Sequence, residues 1–150
     1  MKLATALSER ADIQRRISQI TVRLNNNAKV QEGEEPAENP LELLKELDAC
    51  LKRLEELIAR INKTNNETKA GDVTITDLIA RRDCLKQRVS IMRDFLDASS
   101  NRIDRYSKSE IKVFSTVPVS ELQKQVDAYS KQLRETDEKI QEMNWTTELI

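Results

Sequence analysis

The sequence predicts a mainly α protein: a bundle of four long amphipathic helices with coiled-coil-like packing and a small β element. The 150 residues are 38% hydrophobic and 34% charged, a mixture typical of long amphipathic helices. Only 2 Gly and 3 Pro interrupt the chain, and apolar residues recur at heptad spacing in four stretches. This length suits one domain, so residues 1–150 are expected to form a single helical domain.

The first helix is predicted over residues 3–25, ending at a run of asparagines. Its seam consists of apolar residues spaced 4, 3 and 4 apart, namely Ile13, Ile17, Ile20 and Leu24. Arg10 continues this seam toward the N-terminus. Polar seam residues can fix the register of packed helices, and we expect this role for Arg10, Asn65, Arg82 and Thr136.

The second helix is predicted over 41–66, because Asn39 can cap it and Pro40 suits the first helical position. It carries two interleaved seams. One consists of Leu44, Leu47, Leu51, Leu54, Ile58 and Ile61, and the other of Leu43, Leu47, Cys50, Leu54, Leu57 and Ile61. Together they make an apolar face wide enough for at least two neighbours. The dipeptide Gly71-Asp72 then predicts a turn.

The third helix is predicted over 77–100, with Thr76 as its cap, and the fourth over 119–143, after Pro118. The fourth has the most regular heptad pattern, which favours a supercoiled contact with another helix. The basic run between Arg81 and Arg88 could bind phosphate. The acidic residues among its charges favour an ion-pair face instead.

The small β element is predicted in the insert 102–118, where β-branched residues alternate with others over about 109–117. A single strand cannot satisfy its own backbone groups. It is therefore expected to pair with residues 27–31, or with its counterpart in another subunit.

The two connections carry opposite charge. Residues 26–40 hold one lysine against four glutamates, net −3, and residues 102–118 hold four basic residues against two acidic ones, net +2. This complementarity selects them as candidate interface or ligand contacts, together with the single tryptophan, which could instead fold back as a plug over the end of the bundle. The candidates are Asn27, Lys29, Gln31, Glu32, Arg105, Tyr106, Ser107 and Trp145. The acidic run could also attract a hard cation, although its spacing matches no calcium loop.

Several function classes are disfavoured by composition. Without histidine there is no Ser-His or Cys-His nucleophile pair, and no other catalytic motif appears, so no enzymatic activity, metal site or cofactor is expected. A formal net charge of −1 argues against nucleic-acid binding. No signal peptide or membrane-spanning stretch is evident, which favours the cytoplasm and no membrane contact. Cys50 and Cys84 are expected to be small buried residues.

Four segments together resemble a family of small bacterial proteins, some labelled septicolysin-like. They are residues 27–36 (NAKVQEGEEP), 60–65 (RINKTN), 104–107 (DRYS) and 140–145 (IQEMNW). The resemblance implies a cytoplasmic helical protein that self-associates, up to a hexamer. It attaches no catalytic role to these residues.

The function predicted is therefore that of a non-enzymatic, self-associating structural or interaction protein, a homo-oligomer from dimer up to hexamer. The alternative is an adaptor that binds a protein or small ligand through residues 25–36 and 102–117. A third interpretation, a septicolysin-like lytic or membrane-active factor, finds no membrane-seeking apolar segment in the sequence.

Overall fold

The computed structural model describes residues 1–100 and 111–150, which contain four α-helices and a two-stranded antiparallel sheet. The helices are α1 (Leu3–Asn26), α2 (Pro40–Glu67), α3 (Ile75–Ser100) and α4 (Val119–Thr146). The predicted mainly helical fold with a small β element is confirmed, and the helix ends differ from the predicted ones by at most three residues. None of the helices in these parts of the chain is long and apolar enough to span a membrane.

The β element lies where the sequence analysis predicted only a turn. Strand β1 (Lys69–Ala70) pairs with β2 (Val73–Thr74), with Lys69 opposite Thr74 and Ala70 opposite Val73. The connection is the two-residue loop Gly71-Asp72. Gly71 has φ 64°, a left-handed conformation that glycine adopts without steric cost, so a tight hairpin forms here.

The strand predicted over about 109–117 is wrong for the residues that the structure describes. Residues 111–117 are irregular, and Ile111, Val113 and Phe114 are 82%, 78% and 78% exposed. The proposed partner segment, 27–31, is irregular as well, so the predicted pairing does not form. Alternation produces a strand only when one face is buried and the backbone finds a partner, and both faces of this segment are exposed. Residues 101–110 lie outside the described residues.

The chain divides into two compact units. The single helical domain predicted over residues 1–150 stays a prediction. One unit comprises Met1–Ile75 and Glu142–Ile150, and the other comprises Thr76–Gln141. In the first unit, α1 and α2 pack antiparallel, with Ile20, Leu43 and Cys50 at the centre of their contact. The predicted burial of Cys50 is confirmed.

The two chain termini meet in the first unit. The backbone N–H of Leu3 donates to the carbonyl oxygen of Thr147 at 2.9 Å, and the backbone N–H of Leu149 donates to the carbonyl oxygen of Met1 at 2.8 Å. Leu149 is buried, and Glu148 pairs with the Lys2 ammonium at 2.7 Å. The C-terminal residues thereby cover this end of the α1–α2 core.

The second unit is built from α3 and α4. Its apolar centre consists of Val89, Leu96 and Val126. The Arg88 guanidinium lies over the ring of Tyr129, 4.7 Å from the ring centroid, and adds a cation–π contact between the two helices. Cys84 is exposed, contrary to prediction, because it lies on the face of α3 that points away from Val126.

Candidate interaction surfaces

Asn27 joins the two ends of the acidic connection. Its side-chain Nδ2 donates to the Arg23 carbonyl oxygen at 2.8 Å, and its Oδ1 accepts from the backbone N–H of Glu38 at 3.0 Å. The side chain is therefore buried and fully engaged within the chain. Asn27 therefore has a structural role within the acidic connection.

The other predicted residues of this connection are exposed. A shallow hollow of about 500 Å³ is lined by residues between 26 and 37, among them Asn27, Lys29 and Gln31, but not Glu32. The chain turns there at Gly33, whose φ is 84°. Among residues 1–100 and 111–150, no group of three or more His, Cys, Asp or Glu could hold a metal ion.

Of the remaining predicted contacts, the structure describes only Trp145, which does not line this hollow. Arg105, Tyr106 and Ser107 lie outside the described residues, so their pairing with the acidic connection stays a prediction. Trp145 is 66% exposed, and its prediction as a plug is wrong. The neighbouring Leu149 is buried in its place, because the chain after α4 folds back and places its own apolar side chain on the core.

One edge of the α1–α2 pair is closed by three ion pairs, which we call the charged edge. Arg53 Nε donates to Glu9 Oε1 at 2.7 Å, Arg16 Nη2 to Glu46 Oε1 at 2.8 Å, and Arg23 Nε to Glu38 Oε2 at 2.9 Å. The pairs repeat every seven residues along α1, so each lies beside a layer of the seam. The signal for this edge in the sequence is the row of charged residues spaced seven apart on α1, Glu9, Arg16 and Arg23.

The charged edge also lowers the pKa of two of its carboxyl groups. The hydrogen bond from Arg53 holds the pKa of Glu9 below its ordinary value, and the hydrogen bond from Arg23 does the same to the pKa of Glu38. These carboxylates are thus kept ionised and paired. Each charged group of this edge therefore has a partner within the chain.

The opposite side of α2 carries an exposed apolar row, which we call the α2 stripe: Leu44, Leu51 and Ile58. Their exposures are 48%, 47% and 38%, and Leu41 extends the row with 67%. The stripe lies about 200° around the helix from the residues of the charged edge. Of the two seams predicted on this helix, one is buried against α1, and the members unique to the other form the stripe.

A second exposed apolar row follows the outer face of α3. This α3 stripe consists of Cys84, Ile91 and Phe95, with Ile91 66% exposed and Phe95 46% exposed. Arg81 and Arg88 lie beside it at a spacing of seven residues. Asp48 and Glu55 lie beside the α2 stripe at the same spacing. Each stripe is therefore an apolar row with a charged rim. The rim holds carboxylates on α2, where Asp48 also pairs with Lys52 at 2.9 Å, and guanidinium groups on α3, where Asp94 also flanks Ile91.

The comparisons with known proteins assign no function. No curated protein matches the sequence. The chain is similar to a crystal structure of a functionally unknown conserved protein from Corynebacterium diphtheriae, with 43% identity, coverage of 100% of this chain and 99% of that chain, and a TM-score of 0.91. The model of a family of unknown function, DUF6847, matches residues 10–149. Because this match spans nearly the whole sequence, the chain belongs to the DUF6847 family.

Proposed function

We propose that this is a non-enzymatic helical protein that associates with copies of itself, and that the α2 stripe is a contact between the copies. The observation that carries the proposal is the half-exposed heptad row Leu44, Leu51 and Ile58 on a helix whose other apolar row is already buried. A strict heptad spacing is the pattern that packs against another helix.

Burial of the stripe would supply a useful driving force. Fully burying one leucine or isoleucine side chain contributes about 1.5–3 kcal/mol, so three half-exposed side chains would contribute roughly 3 kcal/mol. Leu41 would add to this, because it is 67% exposed and lies one turn before Leu44 at the start of α2. A stripe of this kind, rimmed by charges, is typical of protein–protein contacts.

The charged rims favour one pairing of stripes over another. In an antiparallel contact of two α2 stripes, the rim carboxylates Asp48 and Glu55 of one copy would face those of the other and repel. Two α3 stripes would likewise place Arg81 and Arg88 against each other. An α2 stripe against the α3 stripe of a second copy instead sets carboxylates opposite guanidinium groups, with the same spacing of seven residues.

Each copy offers both stripes, so one copy can supply the α2 stripe and a second copy the α3 stripe. The same contact repeated in one rotational direction would form a ring, which accommodates the larger assemblies up to a hexamer. A cytoplasmic location and the resemblance to septicolysin-like proteins stay predictions.

The proposal is tested by removing the apolar character of the stripe. The Leu44→Gln/Leu51→Gln variant is expected to shift the mass measured by light scattering toward the monomer at a concentration where the wild type is oligomeric. Val22→Gln is the matched control, because Val22 is 59% exposed on α1 outside both stripes. Equal masses for the wild type and the stripe variant, with unchanged helical content, would contradict the proposal.

A second candidate function is the adaptor that binds through the acidic connection. The hollow lined by Lys29 and Gln31 favours it, since both polar side chains are exposed beside a cavity of about 500 Å³. Replacing both with alanine is expected to abolish binding of the protein or small-molecule ligand without changing the thermal midpoint of unfolding. A large fall in that midpoint would assign the two residues to the fold instead.

A further inference from the structure

A basic groove runs between α3 and α4 within the second unit. Its volume is about 510 Å³, and four cationic side chains line it: Arg82, Lys86, Arg93 and Arg134. The lining contains a single carboxylate, Asp137, which leaves it with a net charge of +3. From its geometry, we propose that the groove is a binding site for a phosphate-type anion, preferably an extended one such as a diphosphate.

Two contacts between the helices mark the two ends of the groove. Arg82 Nη1 lies 3.6 Å from Asp137 Oδ1 at one end of the groove, and Arg93 Nη2 donates to Ser130 Oγ at 3.2 Å at the other. Lys86 lies between the first two positions on α3. Arg134 lies between the corresponding positions on α4, so these two cations occupy the middle of the groove from opposite sides.

Their positive charges are only partly balanced. Arg82 is engaged by Asp83 at 3.1 Å as well as by Asp137, and the Nε of Arg134 lies 4.0 Å from Glu138. Within the described residues, neither Lys86 nor Arg93 forms an ion pair. Like charges that converge on one groove repel, and an anion placed between them relieves this repulsion.

The donor set suits phosphoryl oxygens. Arginine presents several N–H donors in a planar fork and lysine presents a compact point charge, and both are common phosphate ligands. One phosphoryl group between Lys86 and Arg134 and a second toward Arg93 and the Ser130 hydroxyl would engage the groups that lack a carboxylate. Asp137 at the far end would repel an anion and confine it to this half of the groove.

Isothermal titration calorimetry of the full chain with inorganic diphosphate tests the proposal, with orthophosphate as a second titrant at equal ionic strength. Saturable binding with one site per chain is expected, weaker for orthophosphate. At a hundred times the dissociation constant, diphosphate should raise the thermal midpoint by roughly 5 °C or more.

The Lys86→Gln/Arg134→Gln variant should bind diphosphate at least about tenfold more weakly. The matched control is Lys124→Gln/Lys131→Gln, which removes two exposed positive charges from α4 outside the groove and should bind like the wild type. Absence of saturable binding by the wild type would overturn the proposal. So would an equal loss of affinity in both double variants, which would indicate attraction by net charge alone.

Discussion

Thr64 and Ile150 are joined by a hydrogen bond from the backbone N–H of Ile150 to Thr64 Oγ1, 3.0 Å long. The same hydroxyl donates to the Arg60 carbonyl oxygen at 2.8 Å, and Thr64 is completely buried. A single side chain thus connects the last residue of the chain to the last turns of α2.

Thr64→Val is expected to lower the free energy of unfolding by about 1 kcal/mol, because valine has nearly the same shape but leaves the part-buried backbone N–H of Ile150 without its acceptor. Urea denaturation followed by circular dichroism measures this. Thr21→Val is the control, since Thr21 makes only the local bond to Ile17 on an exposed helix face. Equal effects of the two substitutions would show that the bond to Ile150 contributes nothing.

Arg10 carries a buried polar atom without a partner. Its Nε is inaccessible to solvent and donates no hydrogen bond to any of the described residues. Arg10→Met, which keeps the aliphatic stem in the α1 seam, is expected to raise the free energy of unfolding by about 1 kcal/mol. The exposed Arg15→Met is the control. A loss of stability in Arg10→Met would support the alternative, that this arginine fixes the register of the seam.

The charged edge predicts loss of stability in acid. The folded-state pKa values of Glu9 and Glu38 are lowered by their arginine partners, so the stability they contribute is fully present above their unfolded pKa, about 4.3, and is lost as the pH falls through the folded values. The thermal midpoint of unfolding should therefore decrease when the pH is lowered below about 4. In Glu9→Gln/Glu38→Gln it should be lower at pH 7 and fall less on acidification.

The matched control for the acid titration is Glu34→Gln/Glu35→Gln, which removes two exposed carboxylates from the acidic connection. It should retain the thermal midpoint and the pH profile of the wild type. If the Glu9→Gln/Glu38→Gln variant kept the full acid-induced fall, the ion pairs of the charged edge would not be its cause.

Charge reversal distinguishes the pairing of the stripes from self-association itself. Asp48→Arg/Glu55→Arg and Arg81→Glu/Arg88→Glu should each weaken association about tenfold or more, because each places like charges across the α2–α3 contact. An equimolar mixture of the two variants should recover complexes. Light scattering of the separate and mixed proteins measures both effects.

Other outcomes of the charge reversal have distinct meanings. If the α2 stripe packs against α2 instead, Arg81→Glu/Arg88→Glu should associate as strongly as the wild type, and Asp48→Arg/Glu55→Arg should bind the wild type more tightly than it binds itself. Unchanged association of both variants would reject the pairing through the rims and leave self-association in place. Circular dichroism of each variant separates these outcomes from unfolding, which matters for Arg88 because it also lies over Tyr129.

Heptad spacing predicted the helices closely, because an apolar seam is a local pattern with a fixed period. The same local logic failed for residues 111–117, where alternation was present but the described part of the chain provides no buried face and no partner strand. The hairpin at Gly71-Asp72 was missed because its strands are only two residues long. Their signal lies in the turn dipeptide, not in any periodicity of the strands.

The candidate surfaces were only partly predictable. The two seams of α2 were visible in the sequence, but which one stays exposed depends on where α1 packs, and that is a tertiary property. The groove between α3 and α4 combines Lys86 with Arg134, residues far apart in sequence that come together only when the helices pack antiparallel. Trp145 was predicted as a contact because it is the single tryptophan. Whether Trp145 or Leu149 is buried depends on the path of the chain after α4, which is a tertiary property.

Sedimentation equilibrium of the wild-type chain at micromolar concentration tests the central claim most directly. The account predicts a mass that is a multiple of the 17.3 kDa chain, from a dimer up to a hexamer, and that decreases on dilution. A single species of 17.3 kDa throughout the accessible concentration range would contradict self-association through the α2 stripe.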